Sequence, residues 1–371
     1  MSSAVRGFEY LADKKLWKLR FTEKGKRYSV YGKTQKECEA KRTEKLEMLK
    51  QHMHLENQKI TLSSYYDLWV EEQAKEIKPS TIWNYEKSWK HIKPYLGGRK
   101  IVDLVKGDVL YMQKEMKRTC SPDTINRATK LLNQILKSAI VDRIINYNPC
   151  MGIKKLRDES PKATETIHRA LTEEETEMFF ESAKDSYYYE LYRFLINTGC
   201  RIGEATALSW FDVNFKRSEI KINKTTSRIS NTEYIVSDSP KTDSSIRTIP
   251  ITPEIKDILE KQRKRNYMLF GSSQPFVFPN RKNQLASHNT VDNFITDIIR
   301  KINVSGKCYF APFSVHGFRD TFATRCIEQN MSPHTLKALM GHSSLKMTMD
   351  LYAQVLPNTK KEELEKIRIV L

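Results

Sequence analysis

The chain has 371 residues with 39% hydrophobic side chains, and its 63 Lys and Arg residues exceed its 45 Asp and Glu residues, giving a formal net charge of +18. The length indicates two to three domains, and the hydrophobic content is enough for several small cores, which excludes wholesale disorder. So large a positive charge favours nucleic acid as the partner, with an anionic membrane as the second choice. The membrane is disfavoured because no apolar run approaches the ~20 residues that a bilayer requires, and no apolar signal core begins the sequence.

The six cysteines are scattered along the chain and form neither a CxxC pair nor a set with nearby histidines. Disulfide and zinc frameworks need such spacing, so the pattern indicates reduced thiols in a cytoplasmic protein. The residues are Cys38, Cys120, Cys150, Cys200, Cys308 and Cys326.

The first region, residues 1–56, predicts a small three-stranded sheet followed by a helix. Apolar and basic side chains alternate through residues 17–21, which is typical of a half-buried strand, and residues 27–31 supply a return strand. Thr34 and Glu37 form a capping box that opens the helix. A basic ribbon can enter a DNA major groove, although a solvated sheet face explains the same residues nearly as well. The basic side chains of this predicted face are Lys18, Arg20 and Arg27.

Residues 60–155 have a helical pattern throughout. Four or five short helices are predicted, with Ser80 capping one of them and Ser121 followed by Pro122 opening a longer one. The aromatic residues have helical spacing, so we assign them to the core rather than to base stacking. A compact bundle with many exposed lysines and arginines suits DNA binding. Residues 156–170, rich in charge and without apolar periodicity, form the predicted linker.

Residues 171–356 predict the largest domain, with helices and strands mixed. A helix ends at Gly199 and Arg201 follows at once before the next helix, so the backbone turn fixes the reach of its guanidinium near helix N-terminal amides. Glu204, one turn later, could orient that guanidinium, although a plain surface Arg–Glu pair is the simpler interpretation in isolation. Three strand-like runs follow. The turn between the last two presents Lys241, which could donate a proton to a leaving alkoxide or simply be solvated.

A stretch of about forty residues, 314–355, brings together two imidazoles, a guanidinium and a phenol. No carboxylate cluster, cysteine pair or glycine loop accompanies them, so the set suits holding and attacking a phosphodiester better than carrying a metal or a nucleotide. His316 and Arg319 are three residues apart on a predicted helix and share a face. The four residues are His316, Arg319, His342 and Tyr352.

Two simpler interpretations apply to the end of this stretch. Tyr352 lies at helical spacing from Leu345 and Met349, so it could be a core tyrosine that packs with both. Residues 333–352 also have the pattern of a helix-turn-helix, which would make the chain a non-catalytic DNA binder. Each residue alone favours the simpler interpretation, whereas their joint order and spacing favour an active site.

The order of these residues resembles the tyrosine recombinase (integrase) family. The resemblance covers essentially the whole chain, and four spaced motifs in order are improbable by chance. Gln354 departs from the family, which often has a histidine there, but the position has no catalytic role. The motifs that carry the resemblance are T-G-C-R-I-G-E-A-x-x-L-x-W, P-K-T-x-S-S-x-R-T-I-P, H-x-F-R-x-T-F-A-T and L-M-G-H-S-S-x-x-x-T-x-x-x-Y.

The resemblance implies a mainly α-helical fold with small β-sheets (α+β) in a multidomain arrangement. Residues 1–56 would be an arm-type DNA-binding domain, and residues 60–155 a SAM-like core-binding domain. The linker, residues 156–170, would lead to a mixed α/β catalytic domain, residues 171–356. The tail, residues 357–371, would dock on a neighbouring protomer.

The implied activity is site-specific recombination that integrates or excises a mobile element. Tyr352 would attack the scissile phosphate and form a 3′-phosphotyrosyl bond, with neither a metal nor another cofactor. Arg201, Arg319 and His342 would hold the non-bridging oxygens of the phosphate. Lys241 would protonate the leaving 5′ oxygen, and His316 would act as general base toward the phenol. Glu204 would support the site by orienting Arg201.

The implied partners are double-stranded DNA, at core and arm sites, and three further copies of the chain in a tetramer assembled by tail exchange. An excisionase or a host DNA-bending protein could assist, and the setting would be the bacterial cytoplasm at the nucleoid. Two alternatives stay open, a type IB topoisomerase and a helix-turn-helix regulator. The arm-like N-terminal region and the motif spacing favour recombination over the topoisomerase.

Overall fold

A computed structural model of the chain describes residues 5–23, 26–57, 59–157, 169–231, 233–237, 246–271, 275–306 and 309–355. The chain divides into two compact units, Met1–Asp158 and Glu159–Leu371. Both are mainly helical with small antiparallel sheets, so the predicted fold class is confirmed. Within the described ranges no helix is long and apolar enough to span a bilayer.

The first unit begins with the predicted sheet. Its three strands are antiparallel in the order β1-β2-β3, and they cover Val5–Leu11, Leu16–Glu23 and Lys26–Gly32. Leu19 and Phe21 are buried beneath helix α1, Gln35–Asn57, as the alternation predicted. Half of the predicted capping box is present: the Glu37 amide donates to Thr34 Oγ1 at 3.2 Å, but the Glu37 carboxylate accepts from the Lys33 amide at 2.7 Å instead of from that of Thr34.

Four helices form the bundle that follows. They are α2 (Leu62–Gln73), α3 (Pro79–Leu96), α4 (Lys106–Met116) and α5 (Pro122–Val141), with a 3-10 turn at Ile101–Asp103. The aromatic residues lie in the core, as predicted: Tyr66 stacks on Trp89 with ring centroids 4.1 Å apart, and Trp69 is buried beside them.

One predicted helix cap in this bundle is wrong. Helix α3 begins at Pro79 and Lys78 is its N-cap residue, so Ser80 lies inside the first turn. Proline is favoured at the first helical position because its missing N–H and fixed φ cost nothing there, which moves the start of the helix forward by two residues. Ser121 behaves as predicted, accepting from the Thr124 amide at 3.4 Å.

The second unit contains nine helices or helical turns and five short strands within its described ranges. Helices α6–α13 are Glu173–Ser182, Tyr189–Thr198, Ile202–Ala207, Pro253–Phe270, His288–Val304, His316–Glu328, Pro333–Met340 and Leu345–Val355, with a 3-10 turn at Trp210–Asp212. Strands β4 (Val213–Asn214), β5 (Glu219–Ile222) and β8 (Arg247–Pro250) form one antiparallel sheet, and β6 (Thr225–Arg228) pairs with β7 (Tyr234–Ser237).

The three predicted strands of this unit correspond to β5, β7 and β8, whereas β4 and β6 were missed. Strand β4 has only two residues, and β6 reads T-T-S-R, which has no apolar alternation to signal a strand. The core of the unit is largely aromatic. Phe179 packs against Tyr192, Phe313 and Phe318, and its ring centroid lies between 5.2 and 5.6 Å from theirs.

The last three helices share a smaller hydrophobic cluster, to which Leu351, Tyr352 and Val355 of α13 contribute. Tyr352 therefore packs in a small core, as the simpler interpretation had it, but Met349 is 46% exposed, so the predicted contact with Met349 is wrong. The buried stripe of α13 passes instead through Thr348, which is fully buried, and then through Leu351 and Tyr352.

Candidate active site

Arg201 lies in the turn between helices α7 and α8. Helix α7 ends at Gly199, whose φ of 62° is left-handed, and a Cβ there would lie 2.3 Å from Phe322 Cδ1, so this close approach requires glycine. Two residues later Arg201 is the N-cap residue of α8 in an extended conformation. Its Nη1 donates to Glu204 Oε1 at 2.9 Å, and its Nη2 donates to the Gly341 carbonyl at 3.3 Å.

Glu204 is the carboxylate around which two arginines gather. Besides Arg201, it accepts from Arg247, with Nη2 at 2.7 Å from Oε2 and Nη1 at 3.1 Å from Oε1. Burial by itself raises the pKa of this carboxyl, but the hydrogen bonds and charge of Arg247 and then of Arg201 outweigh it, so the pKa lies below the usual range. Glu204 is therefore ionised at neutral pH and balances one of the nearby positive charges.

Arg247 was not predicted from the sequence as a site residue. It comes from strand β8 and is only 9% exposed, and its Nε donates to the Leu339 carbonyl at 2.5 Å. A signal was present: Arg247 has the same parity as Ile249 on a strand whose inward positions are otherwise apolar. A cation on the apolar face of a strand indicates a buried charge with a partner elsewhere in the fold.

Arg319 is buried to 3% exposure on helix α11. Its Nη1 donates to the Gly199 carbonyl at 2.5 Å and its Nη2 to the Met340 carbonyl at 2.7 Å, and no carboxylate among the described residues pairs with it. Burial, followed by the positive charge of Arg201, lowers the pKa of its guanidinium to about 10, which leaves it charged at neutral pH. The site thus holds three guanidinium groups and one carboxylate, an excess of two positive charges (3 − 1 = 2), and only Arg201 and Arg247 pair with that carboxylate.

His342 follows the left-handed Gly341 directly and is 6% exposed. Its Nδ1 lies 3.0 Å from Thr348 Oγ1. Burial lowers the pKa of His342 to about 4, and the charges of Arg319, Arg201 and Arg247 add to the effect. The imidazole is therefore neutral at physiological pH.

His316 stands on the first turn of α11, three residues before Arg319, but the two side chains differ in exposure. The His316 side chain is 45% exposed and lies 3.7 Å from Asp320 Oδ1, whereas Arg319 is buried. A charge on His316 adds to the lowering of the His342 pKa. His316 also lines a cleft of about 660 Å³ together with Leu351 of α13.

Tyr352 does not join this cluster. Its hydroxyl donates to the carbonyl of Met331, just before helix α12, and burial raises the pKa of the phenol. The arginines and His342 lie at the other end of α12, which has eight residues. At a rise of about 1.5 Å per residue the two ends are about 12 Å apart. The structure therefore brings together Arg201, Glu204, Arg319 and His342, with His316 three residues from Arg319 on α11, and it places the phenol at the opposite end of α12.

Lys241 and residues 357–371 lie outside the described residues. The predicted DNA-binding side chains of the first unit share one sheet face, because Lys18, Arg20 and Thr22 of β2 pair with Tyr31, Ser29 and Arg27 of β3. Glu9 lies 3.1 Å from Arg20 and 4.0 Å from Lys18, so part of this positive charge is paired within the sheet. Among the described residues no three His, Cys, Asp or Glu side chains are close enough to hold a metal ion.

Comparison with known proteins places this site in a family. The description "Phage integrase family" matches residues 169–359, and "Phage integrase, N-terminal SAM-like domain" matches residues 61–116. A XerC-like tyrosine recombinase of Caldanaerobacter subterraneus subsp. tengcongensis is 28% identical, with 92% of each chain covered. The ICEBs1 integrase of Bacillus subtilis is 26% identical over 75% of this chain and 74% of its own length.

Two solved structures have the same fold. The Tn1549 transposon integrase in complex with a circular intermediate DNA superposes with a TM-score of 0.70 at 23% identity, covering 83% of this chain and 100% of that one. A lambda integrase dimer bound to a core site gives 0.61 at 17% identity, with 97% of both chains covered. Because the family match spans more than half of the 371 residues, the chain belongs to the phage integrase family and is a tyrosine-type site-specific recombinase.

Proposed function

We propose that the chain integrates and excises a mobile element by cutting and rejoining duplex DNA through a 3′-phosphotyrosyl bond on Tyr352. The observation that carries the proposal is the cluster of Arg201, Arg247 and Arg319. Only Arg201 and Arg247 pair with a carboxylate, that of Glu204, whereas the buried Arg319 donates to backbone carbonyls. Burying unpaired charge is costly, so an excess of two positive charges favours an anionic occupant. A phosphodiester of DNA has the charge and the oxygen acceptors that the cluster lacks.

Arg201, Arg319 and His342 hold the non-bridging oxygens of the scissile phosphate in this proposal. Backbone carbonyls of Gly199, Met340 and Gly341 already orient the two guanidinium groups before any DNA arrives. Donors fixed in advance stabilise developing charge without reorganisation, at about 3–4 kcal/mol for each donor in comparable sites. Arg247 holds Glu204 in place through two hydrogen bonds, and Glu204 in turn holds Arg201.

In the chemical step Tyr352 oxygen attacks phosphorus while the bond from phosphorus to the 5′ oxygen breaks. The phenol proton passes to His316, and Lys241 supplies a proton to the leaving 5′ oxygen. The phosphotyrosyl bond conserves the energy of the phosphodiester, so the reverse reaction with a new 5′-hydroxyl rejoins the strand without ATP. Before attack, the phenol must leave the Met331 carbonyl to which it now donates.

The remaining parts of the chain serve DNA binding and assembly in this proposal. Residues 1–56 bind arm sites, residues 60–155 bind core sites and residues 156–170 link them to the catalytic domain, residues 171–356. The solved neighbours include a lambda integrase tetramer bound to a Holliday junction, and that arrangement supports a tetramer here. In such a tetramer the tail of each protomer, residues 357–371, would pass to a neighbouring protomer in the bacterial cytoplasm. An excisionase or a DNA-bending protein would set the direction of recombination.

The test uses a nicked suicide DNA substrate carrying the ends of the donor element. Wild-type protein should form an adduct that resists detergent, and Tyr352→Phe should form none while binding the DNA with unchanged affinity. Tyr267→Phe is the matched control, because Tyr267 is 66% exposed on α9 and should form adduct normally.

An adduct that survives Tyr352→Phe would refute the assignment of the nucleophile. No adduct with the wild-type protein on any element end would leave the chain as a DNA binder with a helix-turn-helix at α12 and α13. Relaxation of a plasmid without recombination sites, as fast as one with sites, would indicate a type IB topoisomerase instead.

A further inference from the structure

Two buried polar groups meet behind the arginine cluster. Thr348 is 0% exposed and His342 is 6% exposed, and Thr348 Oγ1 lies 3.0 Å from His342 Nδ1. Neither atom is well placed to exchange this contact for water. The direction of the hydrogen bond between them therefore decides where the proton of the imidazole resides.

His342 has a single ring proton at neutral pH. Its pKa is lowered to about 4 by burial and by the charges of Arg319, Arg201 and Arg247, so the imidazolium form is not populated in the DNA-free protein. A neutral imidazole donates from one nitrogen and accepts at the other. Only the tautomer with the proton on Nε2 leaves His342 able to donate to a phosphate oxygen from its second nitrogen.

The threonine hydroxyl selects between the two tautomers. Among the described residues Thr348 Oγ1 has no hydrogen-bond partner other than His342. If Nδ1–H donated to it, the hydroxyl proton would be buried without an acceptor, whereas if the hydroxyl donates to Nδ1 only lone pairs stay unused. Buried donors without a partner are rarer and costlier than buried acceptors with a spare lone pair.

We propose that Thr348 is a positioning residue that donates its hydroxyl proton to His342 Nδ1 and thereby holds the ring proton on Nε2, where it faces an incoming phosphate oxygen. The inference rests on the proposed role of His342 as a phosphate ligand. Its position fits that role: the carbonyls of Met340 and Gly341, directly before His342, accept from Arg319 and Arg201.

The same hydrogen bond connects the phosphate ligands to the helix of the nucleophile. Thr348 stands one turn before Tyr352 on α13, and the two residues share the buried side of that helix. The Thr348–His342 contact therefore positions the His342 ring and also holds the start of α13 in place. Loss of the hydroxyl should disturb the chemical step more than the binding of DNA.

The first experiment reads the tautomer directly. Protein with ¹⁵N-labelled histidine is examined by long-range ¹⁵N–¹H correlation at neutral pH, and the His342 signals are assigned as those absent from His342→Gln. We expect a protonated Nε2 and an unprotonated, hydrogen-bonded Nδ1. A proton on Nδ1 would overturn the inference. This result stands whether or not the protein recombines DNA, so it is separate from the test of the proposed function.

The second experiment compares Thr348→Val with Thr348→Ser on the nicked suicide substrate. Valine keeps the shape and removes the hydroxyl, and should slow adduct formation roughly 10–100-fold, the loss typical when a hydrogen bond that orients a metal-bound histidine is removed, with DNA affinity within about twofold. Serine should restore most of the rate. Thr296→Val is the matched control, since Thr296 is a helical threonine whose hydroxyl donates to the Asp292 carbonyl at 3.0 Å on an exposed surface.

Wild-type rates for Thr348→Val, or a serine variant as slow as the valine variant, would contradict the inference. If Thr348→Val does not fold, the tautomer in the wild-type protein and its retention in Thr348→Ser decide the question. A shift of the valine variant to a mixture of tautomers would tie the lost rate to His342 rather than to a general loosening of α13.

Discussion

Replacing Arg247 by methionine is the sharpest perturbation that the site offers. Arg247 is 9% exposed, makes two hydrogen bonds to Glu204 at 2.7 and 3.1 Å, and donates to the Leu339 carbonyl at 2.5 Å. Methionine has a similar length and no charge, so Arg247→Met leaves the Glu204 carboxylate buried with Arg201 as its remaining partner. The end of helix α12 also loses the donor to Leu339.

The expected cost follows from those contacts. Removing one partner of a buried ion pair costs about 3–5 kcal/mol, and this loss sets the scale of the effect. For a unit of about 200 residues, each kcal/mol lowers the melting temperature by about 2–4 °C. We therefore expect Arg247→Met to melt roughly 6–20 °C below the wild-type protein. Arg247→Lys should recover only part of this, because one ammonium cannot reproduce two parallel hydrogen bonds.

Calorimetry or circular dichroism of the melting transition supplies the measurement, with Arg300→Met as the matched control. Arg300 pairs with Asp297 at 3.0 Å, but its side chain is 73% exposed, so its loss should shift the transition by less than about 2 °C. Equal shifts for the two variants would refute the idea that the Arg247–Glu204 pair supports the site. Adding Glu204→Gln to Arg247→Met should give a smaller total loss than the sum of the single variants, by about 0.5–3 kcal/mol.

Three further predictions test other parts of the molecule. The pKa of Glu204 is lower in the folded protein than its value of 4.5 in the unfolded chain, so the ionised carboxylate stabilises the fold above pH 4.5. Below that pH the free energy of unfolding, measured by urea titration, should fall more steeply in the wild-type protein than in Glu204→Gln. Gly199→Ala should destabilise the fold by at least ~2 kcal/mol, because φ is 62° and Phe322 Cδ1 would lie 2.3 Å from the new Cβ. Gly107→Ala should stabilise the fold by up to ~1 kcal/mol, because the nearest atom to its new Cβ is 3.9 Å away. Equal effects of the two variants in chemical denaturation would contradict this reasoning. If the sheet face binds DNA, Arg20→Ala should reduce the slope of log affinity against log salt by about one phosphate contact, and an unchanged slope would exclude Arg20 from the interface.

Much of the local structure could be predicted from the sequence because local rules decide it. The alternation through Leu19 and Phe21, the cap at Ser121 and the helix end at Gly199 all depend on neighbours within four residues. Strand β6 was not predicted, because its T-T-S-R sequence has no apolar alternation and its conformation depends on tertiary contacts. Thr226 of that strand bonds to Thr206 and His288, and none of these contacts leaves a periodic trace in the sequence.

The composition of the site followed from motifs, but its internal geometry did not. Three residues apart on one helix, His316 and Arg319 were expected to share a face, yet only the histidine is open to solvent. Helix α11 is enclosed around most of its circumference, so Arg319 points into the fold, where carbonyls of Gly199 and Met340 accept from it. Those acceptors are 120 and 21 residues distant in sequence, beyond the reach of any helical spacing rule.

Helix α12 then sets what the nucleophile must do. Its C-terminal end is held by arginines at Leu339, Met340 and Gly341, while the Met331 carbonyl before its N-terminus accepts the Tyr352 phenol. In the proposed mechanism the phenol has to leave the Met331 carbonyl and approach the cluster at the other end of α12, whose eight residues span about 12 Å. If the whole of α13 swung, the Thr348–His342 hydrogen bond would break and the control of the His342 proton would be lost at the moment of attack. The movement is therefore best accommodated in the single turn between Thr348 and Tyr352, with the phosphate-binding cluster and the start of α13 left in place.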